Sequence, residues 1–211
     1  KGKASCADRT PHPLPLTPRR RFTVSLDESL FLAINGLAGR SEFFDHLFLR
    51  LSATSTLYLP VACAAGYWIM RRRWEALLGS PFLAGAVGLS DFLGGQLKWV
   101  FARVRPCHAI HEAVVAGGGA CGRLYSFPSN HAMNTAAAAA FLQVLYPKTG
   151  WISWPIVALV GLSRVYIGAH YVTDVLGGWV LGGLIGGGIA WALLQWPRFR
   201  AAAQVPVSSS R

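Results

Sequence analysis

The run VLGGWVLGGLIGGGIAWALLQW, residues 175–196, decides the fold class of this chain. It is apolar except for Gln195 and is long enough to cross the hydrocarbon layer of a membrane as a helix, which takes about 20 residues. Its glycines allow a neighbouring helix to approach closely in lipid. The run therefore predicts a membrane-spanning helix that packs inside a bundle.

Four further apolar runs precede it and give the chain five candidate spans. Some of them are shorter than ~20 residues, although flanking turns can extend them as helix. These runs cover residues 57–70, 76–97, 132–146 and 151–167. We predict an all-α fold, a polytopic transmembrane helical bundle of five to six spans.

Upstream of these runs, apolar residues recur at helical spacing between charged ones. Leu26, Leu30, Ile34 and Leu37 follow this pattern, which favours an N-terminal amphipathic helix at the membrane interface. A sixth span here is the alternative. We expect three parts in the chain: a disordered basic tail at residues 1–21, a single membrane-embedded domain at 22–200, and a flexible tail at 201–211.

The charge pattern indicates a membrane as the main partner. The chain has 20 Lys and Arg against 9 Asp and Glu, and it is 53% hydrophobic. The basic residues form short clusters beside apolar runs, as in membrane anchors that contact anionic lipid head groups. The sequence has no basic stripe interleaved with aromatic residues, so we expect no nucleic-acid partner. The oligomeric state stays open.

The same basic clusters predict the orientation of the chain in the membrane. Basic loops stay in the cytoplasm, which places Arg71–Arg73 there and sends the following run outward. Counting the remaining spans brings three polar clusters to one outer face: Lys98 with Arg105, Ser129 to His131, and Arg164 with His170 and Asp174. We expect a bacterial inner-membrane protein whose site faces the periplasm or the exterior.

The composition of these clusters predicts phosphate chemistry. Lys98, Arg105 and Arg164 would bind the non-bridging oxygens of a phosphoryl group and offset its charge. Ser129 and Asn130, at the start of a predicted helix, would add phosphate contacts, because helix N-termini favour anions. Any one of these cations alone would be read as an interfacial anchor.

Two histidines supply the reactive groups of the predicted site. Asp174 lies four residues after His170, so its carboxylate can orient the imidazole as a nucleophile. His131 has an ordinary pKa suited to a general acid that protonates the leaving oxygen. For a His-x3-Asp pair alone, a capped and charge-balanced helix start would be the favoured interpretation.

The three clusters together resemble the signature motifs of the type 2 phosphatidic acid phosphatase superfamily, in their usual order. The resemblance covers roughly residues 55–196 and implies an all-helical membrane fold with metal-independent phosphatase chemistry. It also implies His170 as nucleophile, Asp174 as its partner and His131 as acid. The motifs are Lys98-x6-Arg105-Pro106, Pro128-Ser129-Asn130-His131 and Ser163-Arg164-x5-His170-x3-Asp174.

One position departs from the family pattern, which usually has glycine where this chain has Asn130. The backbone N–H is retained, but a side chain now enters a tight place. We expect Asn130 either to add a hydrogen bond or to reshape the pocket for a particular head group.

The leading hypothesis is an integral membrane lipid phosphatase that works through a phosphohistidine, with no cofactor and no metal. Undecaprenyl pyrophosphate, phosphatidylglycerol phosphate, phosphatidate and a lipid A phosphate are candidate substrates. The alternatives are a lipid phosphotransferase and a non-catalytic phospholipid-binding or transport protein. Both histidines with Asp174 argue against pure binding, which needs only the cations.

Cys107 and Cys121 bracket one polar loop. A disulfide between them is expected if the loop faces an oxidising compartment, and it would contribute about 3 kcal/mol by closing a short loop. Two free thiols are the alternative, and the sequence does not separate the two.

Overall fold

The computed structural model describes residues 25–53, 65–116 and 121–203, and in these the fold is all-helical, without a β-strand. The all-α prediction is confirmed. A single isolated bridge pairs Val104 with Tyr125. The helices are α1 (Leu26–Asn35), α2 (Glu42–Ser52), α3 (residues 65–71), α4 (Arg73–Phe101), α5 (Pro106–Ala109), α6 (Asn130–Leu145), α7 (Gly150–Tyr166), α8 (Val172–Gln195) and α9 (Pro197–Ala203).

Helices α4 and α8 are the two described helices that are long and apolar enough to cross a membrane. They have 29 and 24 residues, against 16 in α6 and 17 in α7. Large apolar side chains on α8 point away from the protein, with Val180 61% and Leu184 70% exposed. Such side chains suit contact with lipid. The span count of five to six stays a prediction.

The closest helix pair is α6 with α8. A Cβ on Gly182 would lie 2.0 Å from the backbone oxygen of Met133, and one on Gly186 would lie 1.9 Å from that of Ala137. Both approaches are possible only for glycine, so the two backbones touch directly. This contact fixes the start of α8 beside the start of α6, where two of the three polar clusters lie.

Helix α1 begins at Leu26 with a capping box between Ser25 and Glu28. One face packs on the bundle, where Phe31 is buried and meets the Tyr171 ring at 5.7 Å. Leu26 and Leu30 stay exposed. The predicted amphipathic helix is therefore present, and its position at the membrane interface stays a prediction.

Asn35, at the end of α1, ties it to the bundle. It is buried, and its side chain donates to the backbone oxygens of Val114 and Tyr166 at 2.8 Å each. It also accepts from the Val114 N–H at 2.7 Å. These three bonds hold α1 against the end of the bundle where α7 stops.

The predicted domain limits are only partly within the described residues. The tail at 1–21 and the first part of the run at 57–70 lie outside them. Helix α9 continues to Ala203 and so includes the first three residues of the predicted C-terminal tail. The division into one domain and two tails stays a prediction.

Candidate active site

The three polar clusters meet at one end of the bundle. The Ser129 N–H donates to the backbone oxygen of Asp174 at 3.0 Å, which joins the start of α6 to the start of α8. The His170 N–H donates to the backbone oxygen of Arg164 at 3.2 Å, across the turn between α7 and α8. Lys98, near the end of α4, donates to the backbone oxygen of Pro128. The folded chain thus brings together segments that are far apart in sequence.

His170 and Asp174 form a buried pair. His170 is 2% exposed and Asp174 is fully buried. The imidazole Nδ1 faces Asp174 Oδ2 at 3.5 Å, longer than a strong hydrogen bond, while the Tyr171 N–H donates to that oxygen at 2.9 Å. The backbone thus holds one oxygen of the carboxylate, which lies close enough to orient the imidazole.

The surroundings of His170 favour its neutral form. Burial lowers its pKa to about 3; the Asp174 contact opposes this, and the charges of Arg164 and Arg105 reinforce it. A neutral imidazole keeps a lone pair on one nitrogen and can act as a nucleophile. The role of His170 as nucleophile stays a prediction.

Lys98 is positioned by two oxygens. Besides the Pro128 carbonyl, its ammonium donates to Asn130 Oδ1 at 2.5 Å. An ammonium has three donors, so one remains for a ligand. Asn130 in turn donates to Asp91 Oδ1 at 2.9 Å and to the Asp91 backbone oxygen at 3.0 Å.

The side chain of Asn130 is thus directed towards α4. A Cβ on Gly94 would lie 2.9 Å from Asn130 Oδ1, so the amide lies directly over this glycine. A phosphate contact from Asn130, as the sequence predicts, would have to come from its backbone at the N-terminus of α6. That role stays a prediction.

Arg105 is 9% exposed and rests on backbone oxygens. Its Nε donates to the Tyr125 oxygen at 3.2 Å and its Nη1 to the Ala169 oxygen at 3.4 Å. These neutral acceptors orient the guanidinium without cancelling its charge. Burial lowers its pKa below the ordinary arginine value, although Asp174 opposes this.

The loop that carries Arg105 is joined to the segment that supports it. The Arg105 N–H donates to the Leu124 oxygen at 3.0 Å. Cys107 and Cys121 are paired as a disulfide, with Cα atoms 6.0 Å apart, an ordinary separation for such a bond. The pairing would hold the two segments side by side.

Arg164 and Ser129 each present a buried polar atom without a partner. Arg164 Nη1 donates to the hydroxyl and, at 3.3 Å, to the backbone oxygen of Ser52, the last residue of α2. Arg164 Nε and Ser129 Oγ are buried and have no hydrogen-bond partner within the described parts of the chain. Buried polar atoms in folded proteins are nearly always bonded, so both are suited to an anionic ligand.

His131 lies in the first turn of α6, beside Asn130, and is partly buried. Its position at the same end of the bundle is compatible with the predicted general acid. The role of His131 as general acid stays a prediction.

Sequence reasoning missed three residues at this end: Ser52, Asp27 and Asp91. Ser52 supports Arg164, and Asp27 contacts Arg103 and Thr173. Asp91 accepts from Asn130, which in turn bonds to Lys98. Its spacing to Lys98 is the one available signal, because residues seven apart share a helix face.

Comparison with known proteins agrees with the motifs. The sequence model of the PAP2 superfamily matches residues 81–200. The lipid A 4'-phosphatase of Porphyromonas gingivalis is 32% identical over 175 residues, 78% of this chain and 72% of that protein. The undecaprenyl-diphosphatase of Sulfolobus acidocaldarius is 38% identical over 140 residues, 66% of this chain and 65% of that protein.

A solved structure shares the fold. It is the transmembrane PAP2-type phosphatidylglycerolphosphate phosphatase from Bacillus subtilis, with a TM-score of 0.61 and 28% identity. The match covers 82% of this chain and 87% of that one. The all-helical bundle described above is therefore similar to that of a membrane phosphatase.

Proposed function

The chain belongs to the PAP2 superfamily, and from that premise we propose that it is an integral membrane phosphatase that removes a terminal phosphate from a lipid phosphate or pyrophosphate. The proposed reaction passes through a phosphohistidine on His170 and requires no metal ion. The relatives named above act on lipid A and on undecaprenyl diphosphate, and the structural relative acts on phosphatidylglycerolphosphate. All three names describe a phosphate on a lipid.

One observation carries the proposal: cationic groups converge on a buried place that keeps unused donors. Lys98, Arg105 and Arg164 are held there largely by neutral oxygens. Arg164 Nε and Ser129 Oγ add unpartnered polar atoms among the described residues. Uncompensated charge is costly in apolar surroundings. A phosphoryl group would supply both the negative charge and the acceptors.

The chemistry follows from the His170–Asp174 pair. With Nδ1 protonated and directed at Asp174, the lone pair of Nε2 attacks phosphorus and forms an N–P bond. The bond from phosphorus to the leaving oxygen breaks, and His131 gives that oxygen a proton. Water, deprotonated by His131, then attacks the phosphohistidine and releases inorganic phosphate and free His170.

Metal independence is supported by the number of cations. In phosphoryl transfer, positive groups on the non-bridging oxygens provide most of the stabilisation of the transition state. Lys98, Arg105 and Arg164 are placed to do this with protein groups alone. The proposed site faces the periplasm or the exterior of a bacterial inner membrane, on the side opposite the basic cluster Arg71–Arg73.

The test is phosphate release by the purified protein in detergent, with EDTA present. The panel contains undecaprenyl pyrophosphate, phosphatidylglycerol phosphate, phosphatidate and a lipid A phosphate. We expect release from at least one of them, loss of release in His170→Ala, and full activity in the control His108→Ala, whose side chain is exposed on α5. Trapping of an acid-labile, base-stable phosphoprotein would identify the intermediate.

Three results would each contradict part of the proposal. Absence of release from every lipid in the panel would remove the phosphatase assignment. Substantial turnover by His170→Ala in folded protein would remove the phosphohistidine. Activity abolished by EDTA and restored by a divalent metal would overturn the metal-independent mechanism alone.

A further inference from the structure

Arg103 is a fourth basic residue at this end of the bundle, and its bonding differs from that of the other three. It lies in the loop after α4, two residues before Arg105. Its guanidinium makes ion pairs with two carboxylates, those of Asp27 and Asp174. Lys98, Arg105 and Arg164 rest mainly on neutral oxygens instead. Arg103 is therefore already charge-compensated and is not a further phosphate ligand.

The contact with Asp174 completes the bonding of that carboxylate. Arg103 Nη1 donates to Asp174 Oδ1 at 2.7 Å. The other oxygen, Oδ2, accepts from the Tyr171 N–H and faces His170. Each oxygen thus has its own partners, and the carboxylate cannot rotate without breaking the Arg103 ion pair. The direction in which Oδ2 faces His170 depends on Arg103.

Arg103 is itself fixed from helix α1. Its Nη2 donates to Asp27 Oδ2, and its guanidinium carbon lies 3.9 Å from the centre of the Tyr171 ring. Asp27 also accepts from the Thr173 N–H at 3.1 Å and from the Thr173 hydroxyl at 2.5 Å. The first helix of the described chain is therefore bonded to the first turn of α8.

We propose that Arg103, held in place by Asp27, is a positioning residue for the His170–Asp174 pair, so that helix α1 is part of the catalytic apparatus. The inference rests on the proposed function, since it concerns the orientation of the proposed nucleophile. Arg103 bonds to Asp27, Asp174 and Thr173 and not to the imidazole. Because its charge is already paired with carboxylates, we do not count it among the proposed ligands of the substrate phosphate. It acts through Asp174, whose orientation and charge it controls.

The charge of Arg103 gives the proposal an electrostatic consequence. Three charged side chains act on His170 from the elements around it: Asp174 on α8, Arg164 at the end of α7 and Arg105 in the loop before α5. Asp174 alone favours the imidazolium. The positive charge of Arg103 offsets part of the effect of Asp174. Removal of Arg103 therefore raises the pKa of His170 and moves the acid limb, the low-pH side of the pH–activity profile, to higher pH.

The first test compares Arg103→Gln with the control Arg123→Gln, which removes an exposed arginine from the same end. The assay uses the lipid phosphate that the wild type hydrolyses. We expect kcat to fall about 10- to 100-fold in Arg103→Gln, the range for a small misplacement of a reacting group. KM should change less than about 3-fold, since the phosphate ligands remain.

A pH profile of kcat/KM separates positioning from a purely structural role. The substrate ionises identically for both proteins, so a difference in the acid limb belongs to the enzyme. We expect the limb of Arg103→Gln at higher pH and that of Arg103→Lys near the wild type, with partial recovery of kcat. Unchanged kcat, or a loss of kcat without movement of the limb, would overturn the proposal.

Asp27→Asn provides a second, milder variant, which decides the question if Arg103→Gln does not fold. It keeps the size of the side chain and weakens the hold on Arg103. We expect a loss of kcat of about 3- to 10-fold and, in a double-mutant cycle with Arg103→Lys, less than additive effects. Full activity of folded Asp27→Asn, or strict additivity, would show that α1 does not act through Arg103.

These outcomes are separable from failure of the proposed function. Wild-type release with unaffected Arg103 variants rejects the positioning role and leaves the phosphatase intact. Loss of wild-type release from the whole panel rejects both, because no reaction then remains for Arg103 to support.

Discussion

The two ends of the bundle each hold a buried polar cluster, and the two clusters differ in whether their charges balance. At the end opposite the candidate site, Glu75 is 5% exposed and lies 2.9 Å from Arg72. Its other oxygen accepts from the Tyr146 hydroxyl, which accepts from Trp68 Nε1 at 2.8 Å. One carboxylate meets one guanidinium, and each group has a partner.

At the site end the cations are in excess. Arg103 pairs with both Asp27 and Asp174, and Asp91 is linked to Lys98 through Asn130. These three carboxylates face four cations, so one positive charge is left over, and the direct acceptors of Lys98, Arg105 and Arg164 are mainly neutral. Both clusters are partly or fully removed from water, where unbalanced charge is expensive. A balanced cluster stabilises the fold by itself, whereas an unbalanced one is suited to an anion. The comparison therefore separates a structural role from a binding role.

The largest expected effect comes from removing a cation at the unbalanced end. Arg164→Gln eliminates the buried Nε donor and one charge, so kcat/KM for the lipid phosphate should fall about 100- to 1,000-fold. The thermal midpoint should change little, because removal of a costly uncompensated charge offsets the loss of the Arg164 bonds to Ser52. Steady-state kinetics and a melting curve in the same detergent measure both quantities.

The matched control is Arg72→Gln, which removes an arginine from the balanced end. It should leave kcat/KM within about 2-fold, since nothing there touches the substrate. Equal losses of activity in the two variants would show that the two polar clusters do not differ in their contribution to the reaction.

For Tyr146→Phe we expect a smaller effect, on stability instead of on activity. The Tyr146 hydroxyl donates to Glu75 and accepts from Trp68 Nε1. Its removal leaves a Glu75 oxygen and the Trp68 N–H unbonded and should lower the free energy of unfolding by about 1–3 kcal/mol. Activity at a temperature below the melting transition should be unchanged. A loss of kcat without loss of stability would show that this end takes part in the reaction.

The sequence allowed those parts of the molecule to be predicted that carry a local pattern. The apolar run at 175–196 corresponds to α8, and the helical spacing from Leu26 corresponds to α1. The three motifs converge at one end, as the span count predicted. The first two expectations depended on a spacing within one short segment, and the third depended on the order of the apolar runs along the chain.

The contacts that hold the site could not be predicted in this way. Ser52 supports Arg164 from 112 positions away, and Asp27 reaches Thr173 across 146 positions. Neither residue stands in a motif, and each would be read as an ordinary polar residue near a helix end. Such pairings depend on helix packing, which periodicity does not specify. Arg103 is similar in this respect. Its position in the sequence is equally compatible with an interfacial anchor, and its two carboxylate partners, Asp27 and Asp174, lie in distant segments.

The smallest expected effect concerns Asn130, where the family usually has glycine. In Asn130→Gly the Lys98 ammonium loses one of its two acceptors and with it part of its orientation. The Pro128 oxygen still holds Lys98, so inhibition by inorganic phosphate should weaken only about 3- to 10-fold, equivalent to roughly one hydrogen bond. The kcat value should change less than about 3-fold, because the His170–Asp174 pair is untouched.

Asn134→Ala is the control for this last substitution. Asn134 also donates to Asp91 Oδ1, at 3.0 Å, whereas the acceptors of Lys98 in the described part of the chain are Pro128 and Asn130. If the contact with Lys98 is what matters, Asn134→Ala should leave phosphate inhibition unchanged. Equal weakening in both variants would instead assign the effect to Asp91 and its place on α4. Tighter inhibition in Asn130→Gly would mean that Asn130 competes with phosphate for the ammonium, and the unbalanced end would then be partly compensated by its own side chains.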